Sequence, residues 1–195
     1  MSPENKPLNN MNILAGVNNL KNALNGQILA VEKIIPHERF NSKIIPYKND
    51  IALIKLKKSI ILPSQDELKI SLPDNNCVSS NSGLRMCGWG KTKSCHSDEP
   101  PSNNLNCLTM FFINNNDCRN IYKLQFHDKQ MCVTGGSGCG ICFGDSGGPL
   151  VDADNKIVGI ASGFYGGEFQ RPDIFTKVCD YVSWIEDNKL QYNSL

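Results

Sequence analysis

The residues with the clearest chemical potential form a glycine-rich loop around a serine, Gly144-Asp145-Ser146-Gly147-Gly148-Pro149-Leu150. A serine hydroxyl is a poor nucleophile at neutral pH unless a neighbouring base accepts its proton. Glycines permit backbone conformations in which N–H groups point at one spot, as the binding of a tetrahedral oxyanion requires. Such a run of specified residues rarely arises by chance, so the loop predicts nucleophilic chemistry at Ser146.

The composition is that of an ordinary globular protein and excludes several function classes. The 195 residues suit one large domain or two small ones, and 40% are hydrophobic and 20% charged. A net charge of +1 gives no electrostatic reason to expect nucleic acid or an acidic membrane surface as a partner. No apolar run approaches the roughly 20 residues that span a bilayer.

Cysteine usage indicates an oxidising compartment. The nine cysteines all lie between Cys77 and Cys179, a density that predicts a disulfide framework and an extracellular location. The first ten residues, however, lack the basic-then-apolar pattern of a secretory signal. We therefore expect the true beginning of the protein to be missing from this sequence.

Short strands separated by turn signals predict an all-β barrel or sandwich. The predicted strands are Gln27–Ile35, Asp50–Leu56, Asn106–Ile113, Lys156–Ser162 and Asp173–Val178. Near the end of the chain, Tyr181, Val182, Trp184 and Ile185 predict one amphipathic helix that follows an Asp180 cap.

From about Asn12 onward, the sequence resembles the chymotrypsin-like (trypsin-type, peptidase family S1) serine proteases. The serine loop matches their nucleophile loop, Asn49-Asp50-Ile51-Ala52-Leu53 their Asn-Asp-Ile-Ala-Leu strand, and Gly88-Trp89-Gly90 their Gly-Trp-Gly. The resemblance implies an all-β fold of two six-stranded antiparallel barrels plus a C-terminal helix. It further implies a single protease domain over 1–195 that lacks roughly its first quarter. A partial first barrel would occupy 12–70, a second barrel 75–180 and the helix 181–191.

The resemblance also assigns roles to individual residues. Ser146 would be the nucleophile of a serine-type endopeptidase that works through an acyl-enzyme, and Asp50 would orient a catalytic histidine. Gly144 and Ser146 would supply the N–H groups of the oxyanion hole, and Asp145 would accept an ion pair from a freed N-terminal amine. This chemistry requires no metal or organic cofactor. The implied partners are protein or peptide substrates and protease inhibitors, with no nucleic acid and no membrane.

The catalytic histidine of the family has no counterpart in this sequence. The corresponding position falls near Glu4, and no Ala-Ala-His-Cys segment is present. His37 resembles an exposed turn histidine of the family, while His96 and His127 lie in variable loops. We therefore predict that the chain as written is inactive. The alternative is a non-catalytic serine protease homologue that binds partners through a protease-like surface.

The resemblance implies two disulfides, Cys118–Cys132 and Cys77–Cys179. It leaves Cys107 without a partner, because the trypsin-type partner belongs to the missing segment. Four further cysteines have no assigned pairing: Cys87, Cys95, Cys139 and Cys142. Non-standard disulfides are favoured over zinc or redox chemistry at Cys139-x-x-Cys142, because no second pair of zinc ligands is present.

Two positions bear on substrate preference. The resemblance implies that Gly140 stands where trypsin has the acidic floor of its primary pocket, and that Asp173 stands at a wall position near the same floor. A carboxylate there favours a basic residue at the cleaved position, with a broad or chymotrypsin-like preference as the alternative. Ser162, Gly163 and Phe164 resemble the strand that binds the substrate backbone.

Overall fold

The structure is a computed structural model that describes residues 11–43, 47–62, 69–74, 83–93, 95–123, 126–136, 139–163 and 171–193. Its strands are β1 (Asn12–Ala15), β2 (Gln27–Pro36), β3 (Ala52–Leu56), β4 (Leu84–Gly88), β5 (Asn106–Ile113), β6 (Gln130–Thr134), β7 (Pro149–Val151), β8 (Ile157–Gly163) and β9 (Asp173–Lys177). Its α-helices are α1 (Asn115–Tyr122) and α2 (Val182–Asn193). Within these ranges, no helix is both long and apolar enough to cross a membrane.

The strands form one open sheet and one closed barrel. Strands β1, β2 and β3 make a three-stranded antiparallel sheet, and the other six close a barrel in the order β4-β5-β6-β9-β8-β7. All strand pairs within the barrel are antiparallel. The predicted all-β fold, with one complete barrel, one partial barrel and a C-terminal helix, is confirmed.

The main apolar core lies inside the closed barrel, because alternate residues of its strands point inward. Its buried members are Leu84, Met86, Met110, Met131, Val133, Ile141, Leu150, Val158, Ala161 and Phe175. The open sheet is less well covered. Leu29 and Val31 of β2 are buried, but Ile28 of β2 and Ile54 of β3 are 64% and 47% exposed.

The C-terminal helix is present, but its start differs from the prediction. A 3-10 helix over Val178–Tyr181 precedes α2, so Asp180 lies inside that turn and pairs with Lys177 at 3.4 Å. Helix α1 has a side-chain cap of the expected kind, since Asn114 Oδ1 accepts a hydrogen bond from Asp117 N at 3.0 Å.

The prediction that His37 is an exposed turn residue is wrong. The residue is only 8% exposed, because its ring stacks on Trp184 of α2 at 5.1 Å between centroids and meets the edge of Tyr181 at 5.5 Å. The sequence around His37 correctly indicates a turn. The helix that covers the turn comes from the far end of the chain, so no local pattern reveals it.

Candidate active site

Asp50 is held between the open sheet and the barrel. Its carboxylate Oδ2 accepts a hydrogen bond from Ser162 Oγ of β8 at 2.7 Å, and its backbone oxygen accepts one from Thr176 Oγ1 of β9 at 2.8 Å. The preceding Asn49 Oδ1 accepts a hydrogen bond from Tyr181 OH at 3.0 Å. Burial raises the pKa of Asp50, and the hydrogen bond from Ser162 partly opposes this effect.

The serine loop is attached to the same strand that contacts Asp50. Gly147 N donates to Ala161 O at 2.8 Å, and Ala161 N donates to Gly148 O at 2.9 Å. Gly144 has a φ of 102°, a conformation that side-chain-bearing residues rarely adopt. Ser146 is exposed at the tip of this loop. Because Ala161 directly precedes Ser162, β8 positions both the predicted nucleophile and the predicted orienting carboxylate.

Asp145 points inward and is held by two backbone N–H groups. Gly90 N donates to Oδ1 at 2.9 Å, and Cys142 N donates to Oδ2 at 3.0 Å. A Cβ atom on Gly88 would lie 2.1 Å from Asp145 Oδ1, and one on Gly90 would lie 2.3 Å from Cγ. The Gly-Trp-Gly segment therefore leaves the space that the Asp145 carboxylate occupies.

A cavity of about 210 Å³ opens beside Asp145. Gly88 and Leu108 line one part of it, and Cys139 and Cys142 line another. The carboxylate of Asp145 and these small or apolar groups thus face one cavity that is open to solvent.

Asp173 lies directly behind Gly140. Its Oδ2 accepts a hydrogen bond from Ile141 N at 2.9 Å, and a Cβ atom on Gly140 would lie 2.6 Å from that oxygen. Burial raises the pKa of Asp173 to about 7; the hydrogen bond from Ile141 N opposes the rise, and the charge of Asp145 adds to it. The two residues that the sequence associates with substrate preference are therefore in contact.

His37 and His127 use their imidazole Nδ1 atoms for hydrogen bonds within their own turns rather than with Asp50. His37 Nδ1 accepts from Arg39 N at 3.1 Å, and His127 Nδ1 accepts from Lys129 N at 3.2 Å. Burial is the main cause that lowers the pKa of both residues. His96 lies in an exposed turn directly after Cys95.

The described cysteines form three disulfides, including the predicted pair Cys118–Cys132. The expectation that Cys107 has no partner in this chain is wrong, because Cys107 is bonded to Cys87. These two residues lie directly opposite each other on β5 and β4, a register that the sequence alone does not reveal.

The other pairings are also non-standard. Cys95 is bonded to Cys142, and Cys139 is an exposed free thiol. Cys179 is disulfide-bonded, but Cys77 lies outside the described residues, so the Cys77–Cys179 pair stays a prediction. The predicted substrate-binding residue Phe164 also lies outside the described residues, whereas Gly163 ends β8.

The sequence analysis missed several groups at this site. Phe143 is half exposed just before Gly144, and Lys91 Nζ lies 5.5 Å from the centroid of its ring. The sequence signal for this contact was an aromatic residue directly before the serine loop. Nothing in the sequence marks the backbone N–H groups of Ile141 and Cys142 as important, because every residue except proline has a backbone N–H group.

Comparison with known proteins decides the family. Residues 4–185 match the family model described as Trypsin. The chain belongs to the trypsin family. This trypsin-family chain is 37% identical to pig (Sus scrofa) trypsin over 166 residues, which are 83% of the chain and 68% of the relative. It is 36% identical to trypsin-4 of Rattus norvegicus over 165 residues, which are 83% of the chain and 63% of the relative.

A solved relative supports the same assignment at the level of the fold. The structure of neuropsin, a serine protease expressed in the limbic system of mouse brain, superposes with a TM-score of 0.79 at 30% identity. The superposition covers 91% of this chain and 78% of neuropsin. The trypsin-family chain thus spans about two thirds of the length of its curated relatives and most of the neuropsin fold.

Proposed function

We propose that this trypsin-family chain carries a serine-type endopeptidase site in which Ser146 is the nucleophile and Asp50 the orienting carboxylate. One observation carries the proposal: β8 contacts both Asp50 and the loop that contains Ser146. Ser162 Oγ donates to Asp50 at 2.7 Å, and the adjacent Ala161 anchors the serine loop through two backbone hydrogen bonds. A scaffold that fixes both groups on one rigid strand suits covalent catalysis.

The reaction would be acyl transfer from a protein or peptide substrate. Ser146 Oγ would attack the scissile carbonyl carbon while a base accepts the hydroxyl proton. The N–H groups of Gly144 and Ser146 would stabilise the developing oxyanion. The left-handed φ of 102° at Gly144 supports this role, because it turns the loop sharply just before the nucleophile.

We further propose that Asp173 favours substrates with Arg or Lys at the cleaved position. Its carboxylate lies behind Gly140, which has no side chain to screen it from the pocket. Ser162, Gly163 and Phe164 would pair with the substrate backbone. Since the pKa of Asp173 is about 7, a basic side chain would gain most from this carboxylate above neutral pH.

We infer that the 195 residues by themselves hydrolyse peptides negligibly. His37 and His127 direct Nδ1 to backbone N–H groups of their own turns rather than to Asp50. In a comparable triad, loss of the base alone costs about 10⁶-fold in turnover. The oxyanion hole and substrate binding alone still give about 10³–10⁴-fold over water. Asp145, the proposed acceptor for an N-terminal amine, is held by Gly90 and Cys142 instead.

Labelling with a fluorophosphonate probe tests both halves of this proposal. We expect Ser146 of the purified chain to react at least about 10³-fold more slowly than trypsin, because His37 and His127 make their Nδ1 hydrogen bonds within their own turns and not to Asp50. Ser146→Ala should remove the residual labelling, which peptide mapping can assign. Labelling at the rate of trypsin would contradict the inferred inactivity, and labelling of another residue would contradict the role of Ser146.

A non-catalytic binding module is the second candidate function. The observation that favours it is the placement of His37 and His127 away from Asp50. Calorimetric binding of a basic peptide without cleavage, unchanged in Ser146→Ala but weakened in Asp173→Asn, would support this function. Slow cleavage that is lost in Ser146→Ala would support the peptidase instead.

We also propose an extracellular location, because disulfides persist in oxidising compartments. The three disulfides among the described residues support it. Detection of reduced Cys87 and Cys107 in protein from its native source would contradict it.

A further inference from the structure

Four cysteines line the cavity beside Asp145, and one of them, Cys107, is bonded to Cys87 on the neighbouring strand. Cys139 carries an exposed free thiol, while Cys95 and Cys142 form a disulfide, and all three residues contribute to the cavity wall. Cys95 Sγ lies 3.8 Å from the backbone oxygen of Ile141, within the segment that joins Cys139 to Cys142. A free thiol and two disulfides thus face one cavity that is open to solvent.

The segment Cys139–Cys142 also positions the two carboxylates of the site. Ile141 N donates to Asp173 at 2.9 Å, and Cys142 N donates to Asp145 at 3.0 Å. The Cys95–Cys142 disulfide ties the end of this segment, four residues before Ser146, to the loop after β4. The bonding state of Cys142 therefore bears directly on how the serine loop is held.

We propose that Cys95, Cys139 and Cys142 form an intramolecular thiol–disulfide exchange unit. The Cys139 thiol loses its proton to solvent, and the thiolate attacks Sγ of Cys95. The Cys95–Cys139 bond forms, the Cys95–Cys142 bond breaks, and Cys142 leaves as a thiolate that takes a proton from solvent. One disulfide replaces another, so the step needs no external oxidant or reductant.

The placement of Cys95 selects it over Cys142 as the sulfur that is attacked. Its Sγ lies 3.8 Å from the backbone oxygen of Ile141, two residues after Cys139 along the chain. Attack there makes Cys142 the leaving group, whereas attack on Cys142 would give a Cys139–Cys142 bond instead. Disulfide mapping separates the two products.

The exchange has a consequence for the active site, which rests on the proposed function of Ser146. Release of Cys142 frees the serine loop from the loop after β4, so the hydrogen bond from Cys142 N to Asp145 weakens. The charged groups on the same cavity are Lys91, Lys93 and Asp145. The redox form of Cys142 thus becomes a control on how rigidly the oxyanion site is held.

Disulfide mapping of the full chain tests the exchange without relying on catalysis. The oxidised protein is incubated between about pH 6 and pH 8, quenched with acid, alkylated and digested without reduction. We expect a Cys95–Cys139 peptide and alkylated Cys142, formed faster as the pH rises because the thiolate is the nucleophile. Cys139→Ser should form neither product, and the Cys87–Cys107 peptide should be unchanged in every sample.

Two results would overturn the proposal. One is alkylation of Cys142 no greater in the original chain than in Cys139→Ser. The other is a Cys139–Cys142 peptide in place of Cys95–Cys139. Fluorophosphonate labelling of both disulfide isomers is a separate measurement, so labelling of a residue other than Ser146 contradicts the peptidase proposal and leaves the exchange intact.

Discussion

Asp145 and Asp173 are two carboxylates of this site that backbone N–H groups hold in place. Consecutive N–H groups hold them, because Ile141 N bonds Asp173 and Cys142 N bonds Asp145. Burial removes water from Asp173, so the neutral carboxyl is favoured and its pKa rises to about 7. The same short segment therefore holds both the carboxylate proposed to bind a basic substrate and the carboxylate beside the serine loop.

The substitution Asp173→Asn should stabilise the fold at high pH. The folded pKa of about 7 exceeds the usual 3.8, so the folded state binds more protons between these values and stability falls as pH rises through them. At 1.36 kcal/mol per pKa unit, the variant should gain up to about 4 kcal/mol above pH 7 and little near pH 4. Urea unfolding of the variant and the original chain near pH 4 and above pH 7 measures the difference in their free energies of unfolding. Asp98→Asn removes a charge at an exposed position and serves as the control. A stabilisation by Asp173→Asn that is equal at both pH values would contradict the raised pKa of Asp173.

The substitution Gly90→Ala should destabilise the fold by about 1–3 kcal/mol, as overpacking of a filled site does. Its Cβ would lie 2.3 Å from Asp145 Cγ, whereas a Cβ on Gly83 would meet only Thr109 Cγ2 at 3.4 Å. Gly83→Ala is therefore the matched control. In an Asp145→Ala background the cost of Gly90→Ala should shrink, as a double-mutant cycle by chemical denaturation can measure. An undiminished cost would show that Asp145 is not the group displaced.

Among the elements, helix α2 contacts the turn that follows β2, although the two are far apart in the sequence. Its residue Trp184 stacks on His37 and donates from Nε1 to Glu38 Oε2 at 3.0 Å. Tyr181, in the 3-10 helix just before α2, contacts the ring of His37 and donates to Asn49. The end of the chain thus covers the turn between β2 and β3 and supports the residue next to Asp50.

Acidification below about pH 6.5 should weaken the docking of these elements. Burial lowers the pKa of His37 and of His127 from 6.5, so the unfolded state binds more protons and stability falls as pH drops below that value. His37→Phe keeps an aromatic ring against Trp184 and should reduce the slope of unfolding free energy against pH. The further change His127→Phe should reduce it again. A slope that His37→Phe leaves unchanged would contradict the assigned cause.

For the molecule as a whole, the open sheet is fastened to the barrel at separate points. Ser162 bonds Asp50 at one point. At another, Leu105 N donates to Asn18 O at 2.7 Å and Leu20 N donates to Asn103 O at 2.8 Å. Apolar side chains such as Ile28 and Ile54 nevertheless remain exposed on the sheet. Most of the buried apolar residues lie in the barrel, so we expect the sheet to be less stable than the barrel.

Hydrogen exchange should show this difference directly. Amides of β1–β3 should exchange at least about tenfold faster than those of β5, β6 and β9, after correction for intrinsic rates. Local opening of the sheet exposes little buried apolar surface, so its free energy of opening is small. Mass spectrometry of the native chain, with the urea-unfolded chain as reference, measures the ratio. Equal protection of sheet and barrel would mean that they unfold as one cooperative unit.

Strands β2, β3, β5, β8 and β9 were predicted from runs of apolar and branched residues, and the structure forms all five within two residues of the expected bounds. Strands β1, β4, β6 and β7 were not predicted, because their three to five residues do not stand out locally as a strand pattern and pairing with neighbouring strands defines them. His37 and Cys107 were misjudged for a related reason. Trp184 and Cys87, which contact them, are brought close only by tertiary pairing.

The sequence by itself determined the family, the identity of the serine loop and the candidate residues Asp50 and Ser146, because these depend on residue types in a fixed local order. Only the tertiary structure decided that Ser162 bonds Asp50, that Asp173 lies behind Gly140, and that Cys95 joins Cys142. Each of these is a contact between distant parts of the chain. Strand register and barrel closure create such contacts, and local composition does not encode them.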